Sequence, residues 1–163
     1  MPSREKLLEV IAMQTELAGL GLDLDLGRLL ELVARRSLGL VEADGAAVEM
    51  AEGDEMVYRA AAGMAEGSLG LRLKRNQSLS GLCVDQGQTL HCDDAQQDPR
   101  ADRAACARLG LRSLVVVPLR HHGVTIGVLK VMSRRAGHFC KKDRVLLGLV
   151  SDLVAAAMYF VTR

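Results

Sequence analysis

Two adjacent runs of valine, leucine and isoleucine constrain the fold of this chain more than any other feature. They lie in RSLVVVPLRHHGVTIGVLKVMS, residues 112–133, and are joined at His121-His122-Gly123. Runs of this composition are typical of central β-strands, and a polar junction ending in glycine is typical of a hairpin turn. Pro118 cannot donate to a strand ladder, so we expect a bulge or an unpaired side there. The sequence therefore predicts a central antiparallel hairpin.

The residues before this hairpin carry the signals of further short elements. Two alternating runs, 46–50 and 56–60, are separated by a polar turn, which indicates a second hairpin. Short strands are expected over 71–74 and 89–92, and a helical turn is expected to start near Leu79. The segment DDAQQDPRAD is a loop by composition, followed by a short helix, 103–109, with Asp102 as its cap.

Both ends of the chain have the apolar spacing of amphipathic helices. The first helix is expected from Ser3 to about Leu20. A second follows, with Asp23 or Asp25 as the N-terminal cap and an end at Gly39 or Gly45. The last helix starts at Lys142, is capped by Asp143, and has an apolar stripe that runs from Leu146 to Met158.

These elements predict an α+β fold with one central antiparallel sheet of five to six strands. The terminal helices cover one face of this sheet, and the connection 79–109 covers the other. An irregular connection laid over a sheet is where a small-molecule cavity is most easily built. With 163 residues, the chain is expected to form a single domain.

Charge and hydropathy argue against several classes of partner. The 21 basic and 20 acidic residues are scattered along the chain, so binding of nucleic acid or of an anionic membrane is not predicted. The longest apolar run, LVAAAMYFV, is far shorter than a membrane span, and the N-terminus lacks a signal-peptide core. We therefore expect a cytoplasmic protein with four free cysteines.

The order of motifs over about residues 24–158 resembles the GAF domain family, which is related in fold to PAS domains. The matching residues are Gly81, Gly87 and Asp94, the Asp98-Pro99-Arg100 turn, the strand end 116–119 and Gly127-Val128-Leu129. The resemblance implies a GAF domain over 1–163, with helices at 1–20 and 142–162. It also implies a pocket between the sheet and the crossover 79–110. It identifies neither a ligand nor a cofactor.

Three cysteines, Cys83, Cys92 and Cys106, fall in or beside this crossover together with His91. Their spacings of nine and fourteen residues lack the close pairing of structural zinc sites. Adjacent His91 and Cys92 on an extended segment would also point to opposite faces. The favoured interpretation is three small, buried side chains, and the alternative is a pocket that responds to oxidation.

Known ligands and activities of the family fit this sequence poorly. One GAF branch reduces free methionine sulfoxide with a cysteine close to the place of Cys106, which would act with Cys83 and Cys92. That branch has cysteine where this chain has Ser80, and carboxylates where it has Lys130 and Met132. Bilin binding is disfavoured because Ala107, not histidine, follows Cys106 and the chain has only four tyrosines and phenylalanines. The chain also lacks the residues that are expected for binding haem or cyclic nucleotides.

The resemblance to GAF domains implies a sensory or regulatory domain, and no catalytic or metal-binding residue is predicted. Lys130 could point into the pocket or into water, and Arg100 and Asp102 could form a polar mouth or a solvated loop. The terminal helices are expected to form a homodimer that signals to a downstream enzyme. The candidate pocket residues are Cys83, Cys92, Asp94, Arg100, Asp102, Cys106, Val116 and Lys130.

Overall fold

A six-stranded antiparallel sheet forms the centre of the molecule. The structure is a computed structural model that describes residues 1–19 and 26–161. The strand order is β3-β2-β1-β6-β5-β4, and each neighbouring pair is antiparallel, as predicted. The strands are β1 (Gly45–Glu52), β2 (Glu55–Gly63), β3 (Arg72–Lys74), β4 (Leu90–Cys92), β5 (Ser113–His121) and β6 (Val124–Ser133).

The hairpin of β5 and β6 has the turn that its sequence predicts. His122 and Gly123 have φ angles of 52° and 77°, and two consecutive positive values are typical of a two-residue hairpin turn. The expected irregularity also occurs, as a register shift between Leu119 and Arg120. Strand β4 pairs only with residues 114–116 of β5, so Pro118 lies beyond its end with one side unpaired. The missing N–H of Pro118 therefore costs no hydrogen bond between strands on that side.

Three helices cover one face of the sheet: α1 (Arg4–Gly19), α2 (Leu26–Leu40) and α5 (Lys141–Val161). Helix α2 buries Leu29, Val33 and Leu40 at helical spacing, and α5 buries Val150 and Val154. These side chains pack on alternate residues of the strands, because successive strand side chains point to opposite faces. This helix-covered face is the larger apolar core. No helix in the described residues is long and apolar enough to cross a membrane.

The structure corrects two of the predicted helix ends. Helix α2 continues through Gly39 and ends at Leu40, and the chain then reverses at Glu42, which has a φ angle of 51°. Neither Gly39 nor Gly45 supplies this end, since Gly45 already belongs to β1. Helix α5 begins at Lys141, and Asp143 lies inside its first turn, where its carboxylate accepts a hydrogen bond from the N–H of Cys140 at 2.9 Å. Leu20 and the caps predicted at Asp23 and Asp25 lie outside the described residues.

Two short helices, α3 (Leu79–Gln86) and α4 (Arg103–Leu109), cover the other face of the sheet. The Ser78 hydroxyl caps α3 by accepting from the N–H of Gly81, and the Asp102 carboxylate caps α4 by accepting from the N–H of Ala105. Gly87 and Gly110 end the two helices with φ angles of 66° and 72°. The predicted crossover, including the Asp102 cap, therefore lies where expected.

Gly81 allows α3 to lie against the turn that precedes it. A Cβ atom at this position would be 1.8 Å from the carbonyl oxygen of Arg75, far inside van der Waals contact. Only glycine permits this approach without displacing residues 75–77. The close contact sets the position of α3 above the sheet.

Candidate ligand-binding site

A small cavity lies between the sheet and the two crossover helices. Its volume is about 20 Å³, which is room for one water molecule. We call it the inner cavity. Its walls are mostly leucine and alanine, with a few polar side chains: Tyr58 from β2, Lys130 from β6, Ser80 from α3, and Ser78 and Asp102 from the two helix caps.

A buried ion pair between Lys130 and Glu49 lies beside the inner cavity. Lys130 Nζ is 3.1 Å from Glu49 Oε2, and the two side chains are only 6% and 0% exposed. The Ser80 hydroxyl donates to the same Oε2 atom at 2.6 Å. In the register of β1 and β6, Glu49 pairs with Val128, so Lys130 is two residues along on the same face. Lys130 therefore points into the protein, which resolves the alternative left open by the sequence.

Tyr58 completes this polar cluster. It pairs with Glu49 across β1 and β2, and Lys130 Nζ lies 4.9 Å from the centroid of its ring, a cation–π distance. Two buried atoms of the cluster, the Tyr58 hydroxyl oxygen and Glu49 Oε1, have no hydrogen-bond partner among the described residues. Leaving such an atom unpaired costs about 1–3 kcal/mol. The cluster is thus incomplete as it stands.

Burial and charge shift the acidities of this cluster in defined directions. Burial raises the pKa of Tyr58 to about 12, although the positive charge of Lys130 opposes the shift. Burial lowers the pKa of Lys130, but the attraction of Glu49 outweighs it and leaves that pKa above its ordinary value. At neutral pH the site therefore contains a neutral phenol and a charged ammonium.

An outer groove of about 500 Å³ opens beside the inner cavity. It lies between residues 75–85 and the loop 99–102, and Arg75, Gln77, Asp85 and Arg100 give it a polar lining. Ser78, Ala101 and Asp102 line both spaces. These shared residues show that the two spaces lie side by side, and we call residues 99–102 the partition.

Hydrogen bonds hold the partition on the edge of the sheet. The Asp98 carboxylate accepts from the backbone N–H of Arg100 at 2.9 Å and from its guanidinium at 2.7 Å. The same guanidinium donates to the carbonyl oxygen of His91 in β4 at 2.8 Å. These bonds from Arg100 lower the pKa of Asp98 to about 2. Arg100 thus fastens the loop to β4 rather than pairing with a ligand.

The three crossover cysteines are buried and protonated. Burial raises the pKa of Cys83 and of Cys92 to about 12, and it raises the pKa of Cys106 as well. A thiol attacks as its thiolate, so none of the three is an activated nucleophile at neutral pH. Cys140 is the exposed cysteine. The described residues contain no group of three or more histidine, cysteine, aspartate or glutamate side chains that could hold a metal ion.

The structure brings only some of the predicted pocket residues together. Asp102, Cys106 and Lys130 line the inner cavity, and Arg100 lines the outer groove. The others lie elsewhere: Cys83 and Val116 are buried against each other nearby, with Cys83 Sγ 3.9 Å from the Val116 carbonyl oxygen. Cys92 lies below the Asp98 loop. Asp94 pairs with Arg112 at 2.8 Å and accepts from the N–H of Gln96, so it holds the loop in place.

Sequence reasoning missed Glu49, Tyr58 and Ser80. One signal for Glu49 was present, because it shares strand parity with Ala47, which is buried on the crossover face. A carboxylate at an inward position of a central strand needs a buried partner. The sequence did not identify that partner, since Lys130 is far away along the chain.

Comparison with known proteins gives one family. A family model described as a GAF domain matches residues 23–158. The GAF domain of a Coxiella burnetii phosphoenolpyruvate-protein phosphotransferase superimposes with a TM-score of 0.81 at 21% identity, covering 94% of this chain and 92% of that one. A Neisseria meningitidis free methionine-R-sulfoxide reductase, solved with its substrate, gives 0.81 at 21% identity, with coverages of 99% and 95%. At these identities the likeness shows the fold.

A curated relative has a related segment within a much longer protein. It is a Caenorhabditis elegans protein described as a probable 3′,5′-cyclic phosphodiesterase, 24% identical over 116 residues. The match includes 67% of this chain but only 16% of that protein. This chain therefore corresponds to only a small part of that relative's length.

Proposed function

The chain belongs to the GAF domain family, a family of sensory and regulatory modules, and we propose that it binds a small molecule beneath its crossover helices. The observation that carries this proposal is the incomplete polar cluster. Tyr58 lies in the wall of the inner cavity with its hydroxyl facing the ammonium of Lys130, and within the described part of the chain that hydroxyl makes no hydrogen bond of normal geometry. A ligand with a matching polar atom would complete this cluster.

A purely structural role explains the cluster less well. Well-packed apolar residues commonly replace a buried ion pair without loss of stability, because desolvation of the two charges offsets much of their attraction. A protein core that needed only stability would gain nothing from a buried lysine, glutamate and unpaired phenol. Their position next to a cavity supports binding.

We further propose that ligand occupancy is transmitted through a homodimer formed by α1 and α5. These two helices pack on each other and leave large apolar side chains exposed: Leu8, Ile11, Val145 and Leu149. Pairing with a second copy would bury this surface. A ligand that binds two helix arrangements with unequal affinity would then shift their populations. The recipient would be a cytoplasmic signalling enzyme, in the same polypeptide or separate.

Methionine sulfoxide reduction is the second candidate function. It is favoured by the fold shared with the Neisseria meningitidis enzyme and by the position of Cys106 in the cavity wall. The raised pKa values of the three buried thiols weigh against it. We therefore propose a binding domain and not an enzyme. Turnover of free methionine sulfoxide with a thiol reductant, abolished by Cys106→Ser, would reverse this preference.

Native mass spectrometry of the purified chain tests the proposal. We expect the protein to carry the added mass of a small molecule, either retained through purification or captured from a metabolite extract. This mass should be seen under the mild gas-phase conditions that keep noncovalent complexes intact. Light scattering with and without that molecule should show a dimer at micromolar concentration and a change on binding. A chain that captures nothing and stays monomeric would contradict both the binding and the dimer.

A further inference from the structure

The polar atoms of the inner cavity define the kind of ligand that fits it. We propose that the ligand is uncharged, has a compact apolar body, and presents a hydrogen-bond acceptor such as a carbonyl oxygen to the Tyr58 hydroxyl. This inference rests on the proposed function and specifies the ligand class of that site.

The balance of charge around the inner cavity disfavours a charged ligand. The ammonium of Lys130 is already neutralised by Glu49, whose side chain is fully buried behind it and does not line the cavity. The only other charged group in the wall is the carboxylate of Asp102. A buried anion would therefore meet no free cation and would be repelled by Asp102. A cation would gain little from Asp102, whose carboxylate already accepts from the N–H of Ala105, and either charged ligand would lose its hydration.

The hydrogen-bonding groups of the cavity wall are mainly donors. Lys130 has three N–H groups and no acceptor. The Ser78 oxygen already accepts from Gly81, which leaves its hydroxyl as a donor. The Tyr58 hydroxyl is unpaired, and the adjacent ammonium favours an orientation in which its O–H points away from Lys130. Glu49 Oε1 is an acceptor but lies outside the wall, and the Asp102 carboxylate in the wall already accepts from the N–H of Ala105, so the complementary ligand atom is an acceptor.

The remaining wall sets the shape and the route of entry. Leu73, Leu79, Leu109, Leu111 and Leu114 supply most of the surface, which suits an apolar body. A volume of about 20 Å³ admits water only, so a larger molecule must move a wall. The partition is the part that separates the inner cavity from the outer groove of about 500 Å³. Its displacement would join the two spaces and would break the hydrogen bond from Arg100 to the carbonyl oxygen of His91 in β4.

Four probes built on one six-membered ring test the ligand class. Cyclohexanone has a neutral acceptor, methylenecyclohexane has the same shape without one, and cyclohexanecarboxylate and cyclohexylammonium carry opposite charges. Each is titrated into the full chain while the backbone amide signals of Ser80 and Ala105 are followed by NMR. Two variants accompany the wild type. Tyr58→Phe removes the donor, and Leu109→Ala enlarges the cavity while keeping every polar group.

Cyclohexanone is expected to bind most tightly, with an advantage over methylenecyclohexane of about three- to tenfold, as one net hydrogen bond provides. That ratio should fall to about one in Tyr58→Phe and remain in Leu109→Ala. Tighter binding of either charged probe would overturn the proposal. So would a ratio that Tyr58→Phe leaves unchanged, or a lack of binding by all four probes to both the wild type and Leu109→Ala.

The two levels of proposal fail in different ways. A charged molecule found by native mass spectrometry and displaced by no neutral probe would refute the ligand class and leave the sensory role intact. A chain that binds cyclohexanone through Tyr58 but never changes its dimerisation would keep the ligand class and refute the signalling role.

Discussion

Removing the charge of Lys130 while keeping that of Glu49 should strongly destabilise the fold. In Lys130→Met the Glu49 carboxylate, 0% exposed, keeps only the hydrogen bond from Ser80. Loss of one partner from a buried ion pair costs about 3–5 kcal/mol, because the other charge is left uncompensated. We expect a decrease of this size in the free energy of unfolding, measured by urea denaturation followed by circular dichroism at pH 7.

The double variant Glu49→Leu/Lys130→Met provides the matched control. Replacing the whole pair by apolar residues of similar volume is neutral or stabilising by about 1–4 kcal/mol in other proteins. Here the Ser80 hydroxyl would lose its acceptor, at a cost of about 1–3 kcal/mol. The two effects roughly cancel, so the double variant should be close to the wild type in stability.

This reasoning depends on the two charges acting as a unit. If Lys130→Met lost less than about 1 kcal/mol, the pair would not be the buried, mutually dependent unit described above. The free energy of unfolding of the double variant is also compared with those of Lys130→Met and Glu49→Leu alone. If its decrease equalled the sum of the two single decreases, the sites would be independent and the argument would be wrong. An unchanged m-value in all variants would show that each exposes the same surface on unfolding, so that differences in the urea midpoint report stability.

Three further predictions follow from the crossover face. With an aromatic disulfide reagent at pH 8, only Cys140 should react rapidly in the native chain, and all four thiols should react in denaturant. The reason is that burial raises the pKa values of the other three thiols. Rapid modification of more than one thiol in the native chain would contradict this. The lowered pKa of Asp98 means that its contribution to stability is fully present above about pH 4 and is lost as pH falls through about 2. Asp98→Asn should therefore lower the free energy of unfolding by about 1 kcal/mol at pH 7, a figure that allows for the 41% exposure of the Arg100 side chain. Between pH 4 and 2 the free energy of unfolding of this variant should change less with pH than that of the wild type. Gly81→Ala should lower the free energy of unfolding by at least about 2 kcal/mol, because its Cβ would lie 1.8 Å from the Arg75 carbonyl oxygen. Gly123→Asn, at the exposed hairpin turn, should lower it much less in the same thermal or urea experiment.

Local patterns in the sequence predicted most of the secondary structure. Alternation of side chains identified the strands, and a cap at Asp102 identified α4, because both depend on neighbours within a few residues. The end of α2 at Leu40, before the turn at Glu42, and the start of α5 at Lys141 were not predicted. In α2 the turn uses a non-glycine residue with a positive φ angle, which composition does not reveal. The order of elements placed the crossover on the second face of the sheet, and the resemblance to GAF domains implied a pocket at the same place.

The contents of the candidate site were predicted only in part. Cys106, Asp102 and Lys130 line the inner cavity, whereas Cys92 and Asp94 support the neighbouring loop. Glu49 and Tyr58 were missed because a residue in an alternating run looks the same whether its face is open to water or closed by a helix. Their burial depends on α3, and α3 lies above them because Gly81 permits its close approach.

The sequence alone determined a chain with free cysteines, a near-neutral charge, a central hairpin and helices at its ends, since each follows from composition or short-range periodicity. Only the tertiary structure decided that Lys130 meets Glu49 and Tyr58, and that the Tyr58 hydroxyl lies in the wall of a small cavity without a hydrogen-bond partner among the described residues. Those contacts join three strands and a helix whose mutual register no local pattern encodes. Long-range packing, through the alignment of β1, β2 and β6, therefore sets the chemistry of the site.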